Sequence, residues 1–510
     1  MTTKATDAAY AIECHGITKK FGSVVANDHV ELNVKYGEIL AILGENGSGK
    51  TTLMNMLSGI YYPDEGKTFV NGVETIIHSP SDSMELGIGM IHQHFKLVDV
   101  FSAMDNIVLG VREKYIHPSA LKKKINEISS SFGLEIDPEK KVYNMSVSEK
   151  QTVEILKVLY RGAKILILDE PTAVLTPQET EKLFQILKTM RKNGCAIIII
   201  THKLNEVMEI SDRVTILRKG RTINTVYTNE TNENELTELM VGAPVLLKID
   251  RPETGSKKNL LKVVDLTVLR SDGSIALNSI NFAIRSGEIL GVAGIAGSGQ
   301  KELCESIAGL MPVKEGAILF NKENIVGKSP SEIISLGVSM SFVPEDRLGM
   351  GLVASMGITD NMMLKSYHKG KNIFVDKKPA RESALKMVSQ LEINTPGLET
   401  PVRMLSGGNV QKVLLGREIN SSPNLLIAAY PVRGLDINSS YNIYHLLNEQ
   451  KQKNVAVMFI GEDLDVLLEI SDRILVLCHG QVTGIVDAKS ATKEALGLMM
   501  VGVKGAGANE

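Results

Sequence analysis

The sequence has few cysteines, little net charge and no long apolar run. Its four cysteines (Cys14, Cys195, Cys304, Cys478) lie far apart without C-x-x-C spacing, so we expect reduced, mostly buried thiols rather than disulfides or a zinc site. The net charge of −3 gives no global electrostatic reason to bind nucleic acid. No apolar run approaches the roughly 20 residues that span a bilayer, and residues 1–10 lack the apolar core of a signal peptide. These absences predict a soluble cytosolic protein unless a partner holds it at a membrane.

The most informative feature that is present is an internal repeat. The string "GEIL" begins at Gly37 and again 250 residues later at Gly287, and "EISDR" begins at Glu209 and again 260 residues later at Glu469. A chain of 510 residues is also too long for a single hydrophobic core. The repeat therefore predicts two homologous domains in one chain.

Composition and hydrophobic pattern suggest where these domains lie and what class they belong to. We expect one domain over residues 11–244 and another over 260–503, joined by the polar, proline-containing linker 245–259. Strand-like runs such as "AKILILDE" and "GCAIIIITH" alternate with helical stretches such as "ETEKLFQILKTMRKN". This alternation predicts an α/β fold with a largely parallel sheet.

A phosphate-binding loop follows the first such strand. Gly44, Gly49, Lys50 and Thr51 in "GENGSGKT" match the G-x-x-x-x-G-K-[ST] pattern at every fixed position. Backbone N–H groups of such a loop surround phosphate oxygens, while the lysine neutralises charge on the β and γ phosphates and the threonine hydroxyl binds Mg²⁺. The residues predicted to bind nucleotide in this loop are Gly44, Glu45, Asn46, Gly47, Ser48, Gly49, Lys50, Thr51 and Thr52.

Candidate catalytic residues follow later strands of the same half. "KILILDEPT" ends an apolar strand at Asp169 and Glu170, where parallel sheets bind ligands. Asp169 suits the Mg²⁺ shell, and Glu170 suits a general base that activates water for attack on the γ phosphate. His202 follows the next apolar strand and could contact the γ phosphate, and Gln93 in "MIHQHFKL" offers a ligand for metal and water.

This ordered set resembles the ATP-binding cassette (ABC) ATPases, and the resemblance covers nearly the whole chain twice. The string "LSGGNVQK" at Leu405–Lys412 looks like the signature motif of that family. The resemblance implies two tandem P-loop NTPase domains, each with an α/β core, an antiparallel β subdomain and a helical subdomain that contains the signature. It also implies that ATP lies between the phosphate loop of one cassette and the signature of the other. The further residues implied in ATP binding are Phe21, which would stack on adenine, and Ser406, Gly407, Gly408 and Asn409 of the signature.

The two halves differ in which of these motifs they retain. The second half lacks the catalytic groups of the first but has the intact signature, whereas the first half reads "MSVSEKQ" over 145–151, with Val147 and Ser148 in place of both glycines. The matched positions are Lys50 with Gln300, Thr51 with Lys301, Phe21 with Ser271, Gln93 with Glu345, Asp169 with Ala429, Glu170 with Tyr430 and His202 with Glu462. If the halves combine as the resemblance implies, they form one complete ATP site and one degenerate site.

The resemblance extends to one functional branch. The chain resembles the ATPase subunits of bacterial sugar and nucleoside importers in having two cassettes, "LTPQE" in the first half and "VPEDR" in the second. Within that group it is closer to the nucleoside branch, as judged from "IHQHFKLVDVFSAMDNI" and "GIAGSGQKEL". This implies an ATPase on the cytoplasmic face of the membrane, two transmembrane permease subunits and an extracytoplasmic solute-binding lipoprotein. A monosaccharide importer of the ribose or galactose type is the alternative. A soluble twin-cassette translation factor is a third reading, disfavoured by the short linker and the single complete site.

Overall fold

The computed structural model describes residues 10–22, 24–92, 95–111, 117–173, 175–242, 249–255, 258–342, 351–364, 376–433 and 435–504. The chain divides into two compact units, Met1–Leu246 and Leu247–Glu510. Among the residues in these ranges, no helix is long and apolar enough to cross a bilayer.

The first unit contains two sheets and a set of helices. Its strands are β1 Ile12–Phe21, β2 Val24–Val34, β3 Ile39–Leu43, β4 Glu65–Val70, β5 Val73–Thr75, β6 Ile88–Ile91, β7 Ile165–Asp169, β8 Ala196–Ile200, β9 Arg213–Arg218 and β10 Arg221–Tyr227. Its helices are α1 Lys50–Leu57, α2 Pro80–Glu85, α3 Ala103–Val108, α4 Pro118–Phe132, α5 Val147–Tyr160, α6 Pro177–Lys192, α7 Leu204–Ile210 and α8 Glu233–Val241.

The larger sheet of this unit holds the predicted catalytic strands side by side. Its order is β10-β9-β3-β8-β7-β6, in which all neighbours pair in parallel except β9 and β10. Strands β3 and β8 read "ILAIL" and "AIIII" and are buried at every position, as expected of strands covered on both faces. The smaller antiparallel sheet has the order β2-β1-β4-β5, and helices α3, α4 and α5 pack together.

The second unit repeats this architecture. Its strands are β11 Asn259–Leu269, β12 Ile275–Arg285, β13 Ile289–Ala293, β14 Val313–Phe320, β15 Glu323–Asn324, β16 Val338–Phe342, β17 Leu425–Ala429, β18 Ala456–Ile460, β19 Arg473–Cys478 and β20 Gln481–Asp487. Its helices are α9 Gln300–Ile307, α10 Pro330–Ser335, α11 Ile358–Met363, α12 Lys378–Gln390, α13 Gly407–Asn420, α14 Ile437–Gln452, α15 Leu464–Ile470 and α16 Lys493–Met500. The sheet orders, β12-β11-β14-β15 and β16-β17-β18-β13-β19-β20, match those of the first unit. The predicted fold class, with an α/β core, an antiparallel sheet and a helical part in each half, is confirmed.

Part of the segment predicted as a linker lies against the second unit. The side chain of Ile249 is buried in that unit's core. Arg251 Nε donates to the backbone oxygen of Glu469 at 3.0 Å, and Thr254 Oγ1 donates to the backbone oxygen of Gly287 at 2.5 Å. Residues 249–255 are therefore attached to the second unit by both apolar and polar contacts.

All four cysteines are buried, as predicted. Burial raises the pKa of the Cys14 thiol to about 12 and also raises the pKa of Cys195, Cys304 and Cys478. These side chains act as small apolar groups of the two cores.

Candidate active site

The phosphate loop of the first unit joins β3 to α1 and needs glycine where it turns. Gly47 and Gly49 have φ of 80° and 96°, which are costly for residues with a side chain. A Cβ on Gly49 would collide with the backbone oxygen of Ala26 and the amide of Asn27, and a Cβ on Gly44 would collide with the backbone of β9 and the side chain of Ser48. The Ser48 hydroxyl is buried and has no hydrogen-bond partner among the described residues. A phosphate oxygen fits this unpartnered donor at the floor of the loop.

Lys50 begins α1 and turns its ammonium group back over the loop. Its Nζ donates to the backbone oxygens of Gly44 at 2.6 Å and Glu45 at 2.9 Å, and the residue is 8% exposed. Burial lowers the pKa of Lys50, and the negative charges of Glu170, Asp169 and Glu45 partly oppose that shift. The cation therefore lies near both predicted carboxylates, as the sequence analysis expected.

Asp169 and Glu170 lie at the carboxyl end of β7, beside β8 and two strands from the phosphate loop. Asp169 pairs with Ile200 across β7 and β8, and Ile200 pairs with Ile42 across β8 and β3. Glu170 has φ of 46°, a left-handed conformation that is uncommon for glutamate, and its N–H donates to the backbone oxygen of Ile200 at 2.8 Å. Backbone strain of this kind is concentrated at active sites because it fixes the direction of a side chain.

The side chain of His202 contacts that of Glu170, because the two residues follow neighbouring strands of the sheet. Its Nδ1 lies 3.0 Å from Glu170 Oε1, and its side chain is 58% exposed while that of Glu170 is 21% exposed. The pair thus has a protected carboxylate and an imidazole that solvent or a ligand can reach. An imidazole held this way can contact a phosphate oxygen and orient the neighbouring carboxylate.

The two carboxylates have opposite pKa shifts. Burial raises the pKa of Asp169 to about 6, and the charge of Glu170 adds to that shift while Lys50 reduces it. Burial also acts to raise the pKa of Glu170, but the hydrogen bond and charge of His202, together with Lys50 and Lys203, lower it overall. Glu170 is therefore ionised at neutral pH and able to accept a proton, whereas Asp169 titrates closer to neutrality.

The remaining predicted residues of the first unit are placed as follows. Thr51 is exposed and Thr52 half-buried in the first turn of α1, and Phe21 lies at the end of β1 with 44% of its surface exposed. Gln93, predicted as a ligand of metal and water, lies outside the described residues, as does Glu345 at the matched position of the second half.

The signature of the second unit begins a helix whose first turn is free of acidic side chains. Ser406 is exposed and caps α13, and its Oγ accepts from Asn409 Nδ2 at 2.9 Å. Asn409 Oδ1 accepts from the backbone N–H of Asn394 at 3.0 Å, which fixes the amide. Gly407 and Gly408 are half-buried in the first turn. With its macrodipole unopposed, this helix start attracts an anion.

The matching helix start of the first unit is already neutralised by its own carboxylate. Ser146 and Glu149 form a capping box at α5, in which the Ser146 N–H donates to Glu149 Oε2 at 2.8 Å. Lys140 Nζ donates to the same carboxylate at 2.6 Å. Sequence reasoning noted only the lost glycines and missed Glu149, although the S-x-x-E spacing could have revealed it. The carboxylate opposes binding of a phosphate at this helix.

The second phosphate loop keeps the left-handed glycines of the first, at Gly297 and Gly299, and is contacted by an arginine side chain. Gln300 begins α9 and is 3% exposed, and its Nε2 donates to the backbone oxygen of Ile295 at 3.2 Å, as Lys50 does at the matched position. Arg270 donates from Nε to Glu302 Oε1 at 2.9 Å and from Nη2 to the backbone oxygen of Gly297 at 3.3 Å. An ion pair thus spans the loop of the second unit.

The matching strand end of the second unit has the same left-handed backbone conformation but different side chains. Tyr430 has φ of 51° and donates its N–H to Ile460 at 2.8 Å, matching Glu170. Burial raises the pKa of Tyr430 to about 12, with a smaller contribution from the charge of Glu462. Glu462 lies 3.7 Å from Arg433 Nε, and the buried Ala429 stands where the first unit has Asp169. Tyr430 and Ala429 therefore offer no carboxylate where the first unit has Glu170 and Asp169, and the carboxylate of Glu462 stands instead at the position of His202.

Comparisons with known proteins agree with this architecture. The family model described as ABC transporter matches residues 27–173 and 277–432. The nucleoside import ATP-binding protein NupA of Lactococcus lactis subsp. cremoris is 43% identical over 96% of this chain and 98% of its own length. The guanosine import ATP-binding protein NupO of Bacillus subtilis is 42% identical over 97% of this chain and 98% of its own. Glucose, xylose and ribose import ATP-binding proteins also match nearly the whole chain.

A solved structure shows the same fold over both units. The archaeal ribosome recycling factor, solved with a ribosomal stalk protein, gives a TM-score of 0.59 at 17% identity over 90% of this chain and 87% of that one. Identity this low shows the fold alone. The family model covers both cassettes and the relatives match almost end to end, so this chain belongs to the ABC transporter family and is an ATPase with two ATP-binding cassettes.

Proposed function

We propose that this chain is the ATP-hydrolysing, energy-coupling subunit of an importer for nucleosides. The observation that best supports hydrolysis is the Glu170–His202 pair, 3.0 Å apart, at the strand end whose charges act on Lys50 of the phosphate loop. Nucleoside is the preferred solute because two relatives above 40% identity are named for nucleoside and guanosine import.

ATP binding is assigned to the phosphate loop, Phe21 and the signature. The proposed contacts are Phe21, Gly44, Glu45, Asn46, Gly47, Ser48, Gly49, Lys50, Thr51 and Thr52 of the first unit with Ser406, Gly407, Gly408 and Asn409 of the second. The loop N–H groups and the Ser48 hydroxyl bind phosphate oxygens, and Lys50 leaves the backbone oxygens of the loop to neutralise the β and γ phosphates. Phe21 supplies an exposed ring on which adenine stacks.

Thr51, Asp169 and Gln93 are proposed to hold Mg²⁺. A hydroxyl, a carboxylate and an amide oxygen are the hard ligands that this ion takes together with phosphate and water. When bound, the ion neutralises charge that develops on the phosphates. Asp169 must lose its proton to take part, and its pKa of about 6 allows this at neutral pH.

Glu170 is proposed as the general base and His202 as the group that orients it. The ionised carboxylate accepts a proton from the attacking water, and the strained backbone at Glu170 fixes the direction from which it does so. His202 holds Glu170 Oε1 and leaves its exposed ring edge for the γ phosphate. Gln93 is proposed to position the water.

The proposed functional units are 11–244 and 260–503, joined by the linker 245–259. Together they are proposed to form one complete and one degenerate ATP site. Support comes from the different helix starts: α13 presents Ser406 without an acidic neighbour, whereas α5 presents Glu149. Support also comes from Gln300 and Tyr430, which replace a cation and a base. The complete site therefore takes its loop from the first unit and its signature from the second.

We propose that the chain works at the cytoplasmic face of the membrane with two transmembrane permease subunits and, through them, an extracytoplasmic solute-binding lipoprotein. A monosaccharide remains the alternative solute. No nucleic-acid partner is proposed, because the net charge is −3.

Reconstitution with the permeases and the solute-binding lipoprotein tests this function. Proteoliposomes should take up labelled guanosine in the presence of ATP, with ATP hydrolysis stimulated by the solute. A Lys50→Ala chain is the matched control and should lose both activities. Uptake of labelled ribose but not of labelled guanosine would support the sugar alternative. Isolation of the chain with ribosomes instead of permeases would contradict the importer function.

A further inference from the structure

We propose that Tyr61 is a positioning residue that holds the Phe21 ring ready for the base of ATP. The two ring centroids lie 5.3 Å apart with an angle of 72° between the ring planes. Aromatic pairs prefer this edge-to-face geometry, which stabilises them beyond the area that they bury. The inference rests on the proposed role of Phe21 as the ring on which adenine stacks.

The backbone of Tyr61 is attached to the helix that begins at the phosphate loop. Helix α1 runs from Lys50 to Leu57, and the chain then turns through Gly59 at φ 76°. The backbone N–H of Tyr61 donates to the oxygen of Asn55 at 3.1 Å, as the N–H of the preceding residue does at 2.9 Å. The helix that begins at Lys50 thus fixes the backbone position of Tyr61 after its end.

Phe21 needs such a contact because burial alone does not fix it. It lies at the end of β1 and is 44% exposed, so its ring would otherwise rotate among several rotamers. A second contact comes from Lys19, whose Nζ lies 5.6 Å from the Phe21 centroid and is held by Asp64 at 3.0 Å. A ring already held in one orientation loses less entropy when a base stacks on it.

The second unit keeps the backbone of this arrangement and has lost both rings. Met311 stands at the position of Tyr61, and its N–H donates to the backbone oxygen of Glu305 at 3.2 Å, as Tyr61 does to Asn55. Ser271 stands at the position of Phe21, and the neighbouring Arg270 pairs with Glu302. The aromatic pair therefore occurs in the unit whose phosphate loop contains a lysine, and the turn that supports it does not by itself require aromatic residues.

Equilibrium binding to the full chain tests the inference with two probes, ATP and inorganic tripolyphosphate. Tyr61→Ala should raise the Kd for ATP about 3-fold to 10-fold, because a Phe21 ring without this contact must be ordered when ATP binds, and should leave the Kd for tripolyphosphate unchanged. Tyr61→Phe should restore ATP binding because phenylalanine keeps the aromatic ring that packs against Phe21. In steady-state hydrolysis, Tyr61→Ala should raise the KM for ATP with kcat unaffected.

Tyr143→Ala is the matched control, since Tyr143 is another exposed tyrosine of the same unit, at 61%, and lies outside the contacts of Phe21 described above. It should change neither affinity by more than about 2-fold. Equal ATP affinity in Tyr61→Ala and the unmodified chain would overturn the inference. So would an equal loss for ATP and tripolyphosphate, because that result would mean that the phosphate loop itself had been distorted.

Phe21→Ala separates this inference from the role proposed for Phe21. If Phe21→Ala leaves ATP affinity unchanged, the stacking role of Phe21 is wrong. If Phe21→Ala weakens ATP binding and Tyr61→Ala does not, only the positioning role of Tyr61 is wrong. The Phe21→Ala, Tyr61→Ala double variant should bind ATP no more weakly than Phe21→Ala alone, because Tyr61 acts through Phe21.

Discussion

Replacing Glu170 with glutamine should stop hydrolysis without preventing ATP binding. Glutamine has nearly the shape of glutamate and can keep a hydrogen bond to His202 Nδ1, which lies 3.0 Å from the carboxylate. It cannot accept a proton from water at neutral pH. The substitution therefore removes the proposed base and leaves the surrounding geometry in place.

The expected size of the effect follows from the groups that Glu170 influences. General-base catalysis contributes about 10²-fold to 10⁴-fold, so kcat should fall by at least about 10². ATP affinity should stay the same or increase, because the negative charge of Glu170 acts on Lys50 and its removal leaves that cation more available to phosphate. The left-handed backbone at Glu170 is no more costly for glutamine, so stability should change by less than about 0.5 kcal/mol.

Single-turnover hydrolysis and equilibrium ATP binding measure the two effects separately. Glu181→Gln is the matched control, because Glu181 is exposed on α6 of the same unit, and it should hydrolyse ATP normally. A Glu170→Gln chain that hydrolysed ATP within about 3-fold of the unmodified rate would show that another group is the base. A large loss of ATP affinity would show instead that Glu170 supports the nucleotide site structurally.

Three other predictions concern the signature, the metal and the second loop. Ser406→Arg should abolish hydrolysis because it places bulk where the γ phosphate is proposed to dock, whereas Ser146→Arg should cost much less; equal losses in an ATPase assay would refute the proposed pairing of loop and signature. Because the pKa of Asp169 is raised to about 6, Mg²⁺-dependent ATP binding should weaken up to tenfold per pH unit below about pH 6 and change little above it. Equal Mg²⁺-dependent ATP affinity at about pH 5 and about pH 7.5 would show that Asp169 does not bind the metal. Gln300→Lys should not restore a second active site, so hydrolysis by the Gln300→Lys, Glu170→Gln double variant should stay near zero, and substantial turnover there would contradict the proposed degeneracy.

The sequence was sufficient to predict features whose geometry is set within one segment or by strand order. The glycine pattern around Lys50 dictates a strand, a tight loop and a helix, and the structure has all three. Glu170 and His202 follow adjacent buried strands, and carboxyl ends of parallel strands lie at one edge of a sheet, so their proximity could be predicted.

Contacts between distant, exposed side chains could not be predicted. Arg270 follows β11 and pairs with Glu302 on α9, 32 residues further along the chain, and no local sequence pattern specifies that contact. Tyr61 contacts Phe21 because a turn after α1 returns the chain toward the end of β1. Glu149 differs from these, since its capping box is local in sequence and needed only a search for the S-x-x-E spacing.

The burial of all four native thiols makes this chain suitable for spectroscopy with site-specific labels. Maleimide-type reagents attack the thiolate, and burial both shields these sulfurs and keeps them protonated. A cysteine introduced at an exposed position such as Tyr143, which is 61% exposed, should therefore react much faster than the native four. A fluorophore or spin label could then follow the chain through its ATP cycle without first removing any of the cysteines that fill its cores.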